Sequence, residues 1–292
     1  MTGPTGVGKT SLAVALAGEL NGEIVGADAF QIYAGLPVLT AQPSADLQAV
    51  VPHHLIGFLD LAESFSAARY VSAARACLAA IVARGRRPIL VGGTGMYLKA
   101  LTHGLADLPA PDAALRAELS ALSLEEAQAR LAALDPEAPG QIDMRNPVRV
   151  RRALEIVIST GRSLAASRQQ WSAPRDEFDG ILLVRDREDL RERIATNVDV
   201  MLAGGAIEEV RRAREVAGAG ARRAIGFAEI EDFLDGRRDL VEVRNAIVQA
   251  TRGYAKRQLT WCRNQFTFQS IQLTVTTDPL DAALRHLAGQ PA

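Results

Sequence analysis

The residues Gly3-Pro4-Thr5-Gly6-Val7-Gly8-Lys9-Thr10 constrain the fold of this chain more than any other stretch. They fill every fixed position of the pattern G-x-x-x-x-G-K-[ST], a loop whose inward-facing backbone N–H groups cradle phosphate. Gly6 and Gly8 permit the tight curl. Lys9 supplies a point charge for phosphate oxygens, and Thr10 places a hydroxyl where a Mg²⁺ would sit between protein and phosphates. The Ala/Leu-rich run 11–17 reads as a helix whose N-terminus adds partial positive charge at the same spot. The motif specifies a polyphosphate; it does not specify ATP or a kinase. A loop of this kind follows a buried parallel strand, yet only Met1 and Thr2 precede Gly3. The expectation is a strand upstream, with a truncated or misassigned start, or another segment in its slot.

The order of elements points to an α/β fold, a P-loop NTPase-like parallel sheet flanked by helices. Strand signals fall at 23–27, 53–58, 87–91, 180–184 and about 270–275. A strong amphipathic helix fills 66–84, opened by Ser66 and stopped by Gly85. Between about 106 and 179 there is no strand signal. A Pro-rich linker at 108–112 leads to helices at 113–122, 124–134, 147–159 and 164–171, an all-helical insertion domain. The division expected is 1–107 for the first part of the core, 108–174 for the insertion and 175–292 for the rest. The last part carries helices at 187–202 and 206–216, a turn at 225–227 and a long helix at 240–265.

A formal charge of −1 argues against indiscriminate nucleic-acid binding, although local basic faces remain open. Only Lys9, Lys99 and Lys256 are lysines, so nearly all positive charge is arginine, a planar, bidentate phosphate binder. Two distant cysteines without metal-ligand spacing read as reduced thiols. No run resembles a signal peptide or a membrane span, so the expectation is a cytoplasmic protein that does not engage membranes and acts as a monomer.

Four stretches outside the loop bear on chemistry. Asp28 ends a strand, where open α/β sheets carry ligand chemistry. It suits a base, a Mg²⁺ ligand or a cap equally. Gly92-Gly93-Thr94-Gly95 is a glycine turn after a strand, a weak signal by itself. Arg149, Arg151 and Arg152 open a helix; alone, such charges more often form a solvated face. On the helix 249–265, Arg252, Lys256, Arg257 and Arg263 interleave with Tyr254 and Trp261, which suits phosphate backbones and stacked bases. The competing reading makes this an amphipathic helix with Trp261 in the core.

Taken together and in order, GPTGVGKT, DAFQIY, LTAQP, VPHHLI, VGGTGMYLKAL, RVRRALEIVISTG, AIGF and QATRGYAKRQLTWCRNQ make the chain resemble the tRNA dimethylallyltransferase family. The resemblance runs from Gly3 to about Phe266. It implies transfer of a dimethylallyl group from dimethylallyl diphosphate to the exocyclic amine of the adenosine just 3′ of a tRNA anticodon. Asp28 would then be the acceptor or base for that amine, and the P-loop, Lys9 and a Mg²⁺ at Thr10 would hold the departing diphosphate. The resemblance also implies tRNA contacts from Asp28, Ala29, Phe30, Gln31, Thr94, Arg116 and the stretch Val148, Arg149, Val150, Arg151, Arg152, with the insertion gripping the anticodon stem-loop. Arg252, Lys256 and Arg257 join this set. Alternatives are a P-loop small-molecule kinase, a prenyltransferase acting on free adenylate, and an inactive RNA-binding protein. The chain departs from the family pattern at Ala29 (Ser is usual), Gln42 (Lys), Gly57 (Asp), 143–146 (His-Pro-Asn-Asp) and Asn197 (Arg).

Overall fold

The computed structural model describes residues 1–105, 112–168, 178–274 and 276–289. It divides into two compact units, one formed by 1–101 with 178–292 and the other by 102–177. The expected boundaries at 107/108 and 174/175, the linker at 108–111 and the end of the helix expected at 164–171 lie outside the described residues.

The larger unit is built on parallel strands. β1 (Gly22–Gly26) pairs with β2 (His53–His54) on one side and β3 (Arg87–Val91) on the other, and β4 (Ile181–Arg185) pairs with β5 (Gln269–Leu273). Between β3 and β4 lies Thr2, which bridges Gly92 and Leu182 in parallel, with Met1 bonded to β3 beside it. The Thr2 N–H donates to the Ile181 carbonyl and its own carbonyl accepts from the Leu183 N–H, both at 2.8 Å. The Thr2 hydroxyl adds a bond to the Gly92 carbonyl at 2.9 Å. The P-loop leaves the sheet from this pairing.

Alternating side chains bury both faces of this sheet, the pattern of a parallel sheet covered by helices. On one face Ile24, Ile89, Leu183 and Ile271 meet Leu12, Ala13 and Leu16 of α1 (Lys9–Glu19) and Ala283 at the C-terminal end of the chain. On the other, Val25 and Ala27 meet Tyr70, Ala74 and Ile81, with Tyr97 and Leu98. Here α2 is Ala45–Val50, α3 is Ala67–Ala83 and α4 is Gly95–His103. The strand expected over 53–58 is only two residues long, because Leu55 and Gly57 both take positive φ and leave the extended region. Among the described residues, no helix is long and apolar enough to cross a membrane.

The smaller unit contains α5 (Ala113–Ala121), α6 (Leu124–Leu134), α7 (Pro147–Thr160) and α8 (Leu164–Arg168). Its core joins Leu119, Leu131, Val150, Leu154 and Leu164. The sequence explains its helix ends. Ser123 and Glu126 form a capping box at the start of α6, Asn146 caps α7 ahead of Pro147, and Gly161 closes α7 in the left-handed region. The remaining helices belong to the larger unit: α9 (Arg187–Ala203), α10 (Ala206–Ala213), α11 (Phe227–Leu234), α12 (Leu240–Gln265) and α13 (Pro279–Leu287).

Near the start of β1, the buried Glu23 carboxylate receives a two-pronged bond from Arg84 (3.1 and 2.6 Å) and a bond from His54 at 2.6 Å. The Arg84 hydrogen bonds hold its carboxyl down at about 2 against an ordinary 4.5, although burial pulls the other way. Because the folded value lies below the ordinary one, this stabilisation is present above about pH 4.5 and is lost as pH falls toward 2. Glu23→Gln should therefore lower stability by about 1–3 kcal/mol at pH 7. Urea midpoints measured across pH should show the gap to the parent protein closing between pH 4.5 and 2.

Candidate active site

Parallel strands put all their carboxyl ends on one edge, and the site is assembled there. The P-loop follows Thr2, Asp28 follows β1, the Gly92–Thr94 turn follows β3, and Arg185 ends β4. Gly6 and Gly8 take φ of 79° and 109°, the left-handed region that lets the loop curl. Val7 is fully buried, so its place in the motif is filled by its backbone.

Cationic side chains hold the outside of this curl. The Lys9 ammonium donates to the Gly3 and Pro4 carbonyls at 2.9 Å each. The Arg193 guanidinium donates to the Gly6 carbonyl at 3.0 Å, and that of Arg185 to the Val7 carbonyl at 2.9 Å while pairing with Asp189 at 2.7 Å. Burial lowers the Lys9 pKa to about 8, with the Asp28 charge opposing the fall. At neutral pH Lys9 keeps its proton. Three positive charges therefore surround a loop already suited to an anion.

A buried amide ties this loop to the next one. Gln258 of α12, only 5% exposed, accepts from the Thr5 N–H at 2.8 Å and donates to the Gly93 carbonyl at 3.0 Å. One turn earlier, Tyr254 faces the same region. Its phenol is pushed up to about 12 by burial, with the Asp28 charge adding to the rise and the Thr94 and Gln258 side chains opposing it. Thr94 accepts from the Ala29 N–H through its hydroxyl at 2.9 Å. Asp28 accepts from the Phe30 and Gln31 N–H groups through Oδ1, at 2.9 and 3.4 Å. Among the described residues Oδ2 has no hydrogen-bond partner, which leaves that oxygen available to a ligand.

These groups line one cavity of about 280 Å³. Thr5, Gly6, Gly8, Lys9, Thr10 and Arg193 line it beside Asp28, Phe30, Gln31 and Tyr254, and apolar side chains of α9 and of the 36–42 loop line it too. A polyphosphate, a carboxylate and an apolar group can therefore share one space.

The residues singled out from sequence separate into three groups. The P-loop, Asp28, Phe30 and Gln31 come together, with Thr94 and Ala29 one bond away. Gln31 is already engaged, because its amide donates to the Thr40 and Ala41 carbonyls at 3.2 and 2.7 Å. Along α12, Lys256 and Arg257 are exposed, Arg257 lies over the Tyr254 ring, and Arg252 is half-buried against the Arg191 carbonyl. In the smaller unit, Arg116 and Arg152 both pair with the buried Glu155, at 2.8 and 2.6 Å, and Arg151 donates to the Leu122 carbonyl. Val148 and Arg149 are exposed. Val150 is a correction: it is fully buried in the helical core, where an apolar residue on the inner face of α7 must go, and it offers no surface to RNA.

Trp261 is half-buried and packs against the fold. Its ring packs so closely on Gly95 that a Cβ there would lie 2.0 Å from it, and Phe266 meets it edge-on. Sequence reasoning did not single out Gln258, Arg193 or the cavity-facing position of Tyr254. The available signal was the four-residue spacing of Tyr254 and Gln258, which places them on one helix face.

Comparison with known proteins places this architecture. The family model described as IPP transferase matches residues 31–265. A tRNA dimethylallyltransferase of Anaeromyxobacter dehalogenans is 44% identical over 91% of this chain and 89% of its own. The crystal structure of a tRNA isopentenylpyrophosphate transferase from Bacillus halodurans aligns with a TM-score of 0.73 at 36% identity, covering 99% of this chain and 94% of that one. A eukaryotic dimethylallyltransferase described as acting on tRNA aligns at 0.83 and 25% identity, covering 99% and 79%.

Gln258→Leu removes both arms of the amide bridge and leaves the Thr5 N–H and the Gly93 carbonyl unpaired, at about 1–3 kcal/mol of stability. Affinity for inorganic diphosphate, measured by titration calorimetry, should fall about tenfold with the loop no longer held. Unchanged affinity in the folded variant would remove Gln258 from the positioning of the P-loop.

Proposed function

Because this chain belongs to the IPP transferase family, we propose that it transfers a dimethylallyl group from dimethylallyl diphosphate to the exocyclic N6 amine of the adenosine just 3′ of the anticodon in tRNA. The observation that carries the reading is the single cavity shared by the P-loop, Asp28 and an apolar wall. A bond forms between N6 and the allylic carbon. The bond from that carbon to the diphosphate oxygen breaks, and its electron pair leaves with diphosphate.

Each group in the cavity has a task in that exchange. Negative charge grows on the leaving oxygens, and the P-loop N–H groups, Lys9 and Arg193 meet it with preset positive charge. An adenine amine is a weak nucleophile that becomes cationic as it attacks, so it requires a proton acceptor. Asp28 Oδ2 is that acceptor, while Oδ1 is held by the backbone of its own turn. The Thr94 hydroxyl fixes this turn through Ala29. The apolar wall receives the hydrocarbon and keeps water from the allylic carbon. The target base must leave its stack to reach Asp28. Exposed Arg149 in the smaller unit, and separately Lys256 and Arg257 in the larger one, offer charge to RNA phosphates.

The donor set fits a Mg²⁺. The Thr10 hydroxyl is a hard oxygen lining the cavity beside the P-loop. Mg²⁺ commonly takes one or two protein oxygens and completes its shell with substrate phosphates and water. Among the described residues no group of three or more His, Cys, Asp or Glu gathers to hold a metal. When bound, the ion would supply charge neutralisation for the diphosphate.

Purified protein, given a Mg²⁺ salt, dimethylallyl diphosphate and unmodified tRNA with adenosine after the anticodon, should yield prenylated adenosine on mass spectrometry of the digested nucleosides. Absence of that adduct would sink the reading. Asp28→Ala should lower turnover by about 10²–10⁴-fold while tRNA affinity changes by less than about threefold. Equal losses in both would remove Asp28 from the role of base.

A further inference from the structure

The hydrocarbon side of the cavity has an unusually rigid end. Leu39 lies in the 36–42 loop, lines the cavity and is 6% exposed. Its backbone is pinned from the far side by Glu209 of α10, a buried carboxylate. One Glu209 oxygen accepts from the Val38 N–H and the other from the Leu39 N–H, both at 2.8 Å. Two charge-assisted bonds from a buried carboxylate make a stiff anchor.

The same loop is strapped at three further points. The Gln31 amide holds the Thr40 and Ala41 carbonyls. The Thr40 hydroxyl donates to the Leu36 carbonyl at 2.7 Å. Gln42 donates to the Gln31 and Tyr33 carbonyls at 3.0 and 2.9 Å. Behind Leu39 there is no slack. Its Cδ1 lies 3.0 Å from the point a Cβ would occupy on Gly226, and an Ile247 methyl lies 3.4 Å from that point. The Leu39 backbone is thus fixed through its N–H and its neighbours' carbonyls, and its side chain packs between Gly226 and Ile247.

Resting on the prenyl-transfer reading above, we propose that Leu39, clamped by Glu209, sets the length of the prenyl donor this site accepts, admitting a five-carbon chain and excluding a ten-carbon one. The cavity of about 280 Å³ is small for a ligand site, where ~300–1,000 Å³ is usual, and it must also hold diphosphate. Ile194, Val198 and Ile247 surround it as members of a close-packed core that does not yield to an added isoprene unit. Leu39 acts by direct contact with the hydrocarbon, and Glu209 acts through Leu39 as a positioning residue.

The test is a donor competition. Wild-type protein is given dimethylallyl and geranyl diphosphate with unmodified tRNA, and kcat/KM for each is read from prenylated nucleosides. The ratio should favour the five-carbon donor by about 10²-fold or more. Leu39→Ala should move it toward geranyl by about tenfold, and the milder Leu39→Val by about threefold should the alanine variant fail to fold. Glu209→Gln keeps the leucine but offers a mismatched N–H to one backbone amide, and should move the ratio the same way by a smaller factor. A purely structural role for Glu209 would lower both rates together and leave the ratio alone. Use of both donors within about threefold by the wild type, or an unmoved ratio in a Leu39 variant that still transfers the short chain, overturns the length limit alone. No transfer from either donor by the wild type overturns the prenyl-transfer reading.

Discussion

Four backbone hydrogen bonds at Met1 and Thr2 join the two halves of the sheet, one of them from the Met1 amine to the Leu90 carbonyl at 2.8 Å. The Thr2 N–H and carbonyl bond to β4, and the Met1 carbonyl accepts from the Gly92 N–H beyond β3. Since β3 carries the Gly92–Thr94 turn and β4 carries Arg185, these bonds set the spacing of everything that surrounds the P-loop. The loop starts one residue later, so its position is fixed by the same bonds. Gln258 supplies a second tie between loop and turn through side-chain chemistry, at the point where the backbone pairing stops.

The site uses its buried and half-buried polar groups as fixtures. Glu209, Gln31, Gln42, Thr94 and Gln258 spend their hydrogen bonds on backbone atoms of cavity loops. Rigid walls of this kind suit a reaction in which the protein must present preset charge to a leaving group and exclude water from a reactive carbon. The electrostatics fit the same plan. A lysine whose pKa is lowered to about 8 still carries its charge at neutral pH, yet sits close enough to release it that an arriving diphosphate strengthens its hold on the proton.

Much of this was legible in the residues. The P-loop, Asp28 at a strand end, the helical insertion and the span of α12 follow from fixed spacings, caps and periodicity. Two helices, α4 and α11, did not, and for a shared reason. Each starts at or just after a glycine that reads as a turn: α11 has no Ser, Thr, Asp or Asn ahead of it, and the Thr94 ahead of α4 sits inside the glycine run 92–95. Val150 failed because a run of alternating arginines and valines on a helix mixes inner and outer faces. Gln258 and Glu209 were invisible for a deeper reason. A buried polar residue that holds a loop distant in sequence has no local pattern, since its partners are set by the tertiary fold.

Two of the departures from the family pattern turn out to be neighbours. Gly57 has φ of 59°, and the Gln42 side-chain oxygen lies 3.1 Å from the point where a Cβ at 57 would stand. The glutamine occupies the room that a side chain at 57 would need, and it uses its own amide to brace the 31–33 backbone. The two positions are therefore coupled: a side chain at 57 would meet the Gln42 amide, so the effects of substitutions at 42 and 57 are not additive.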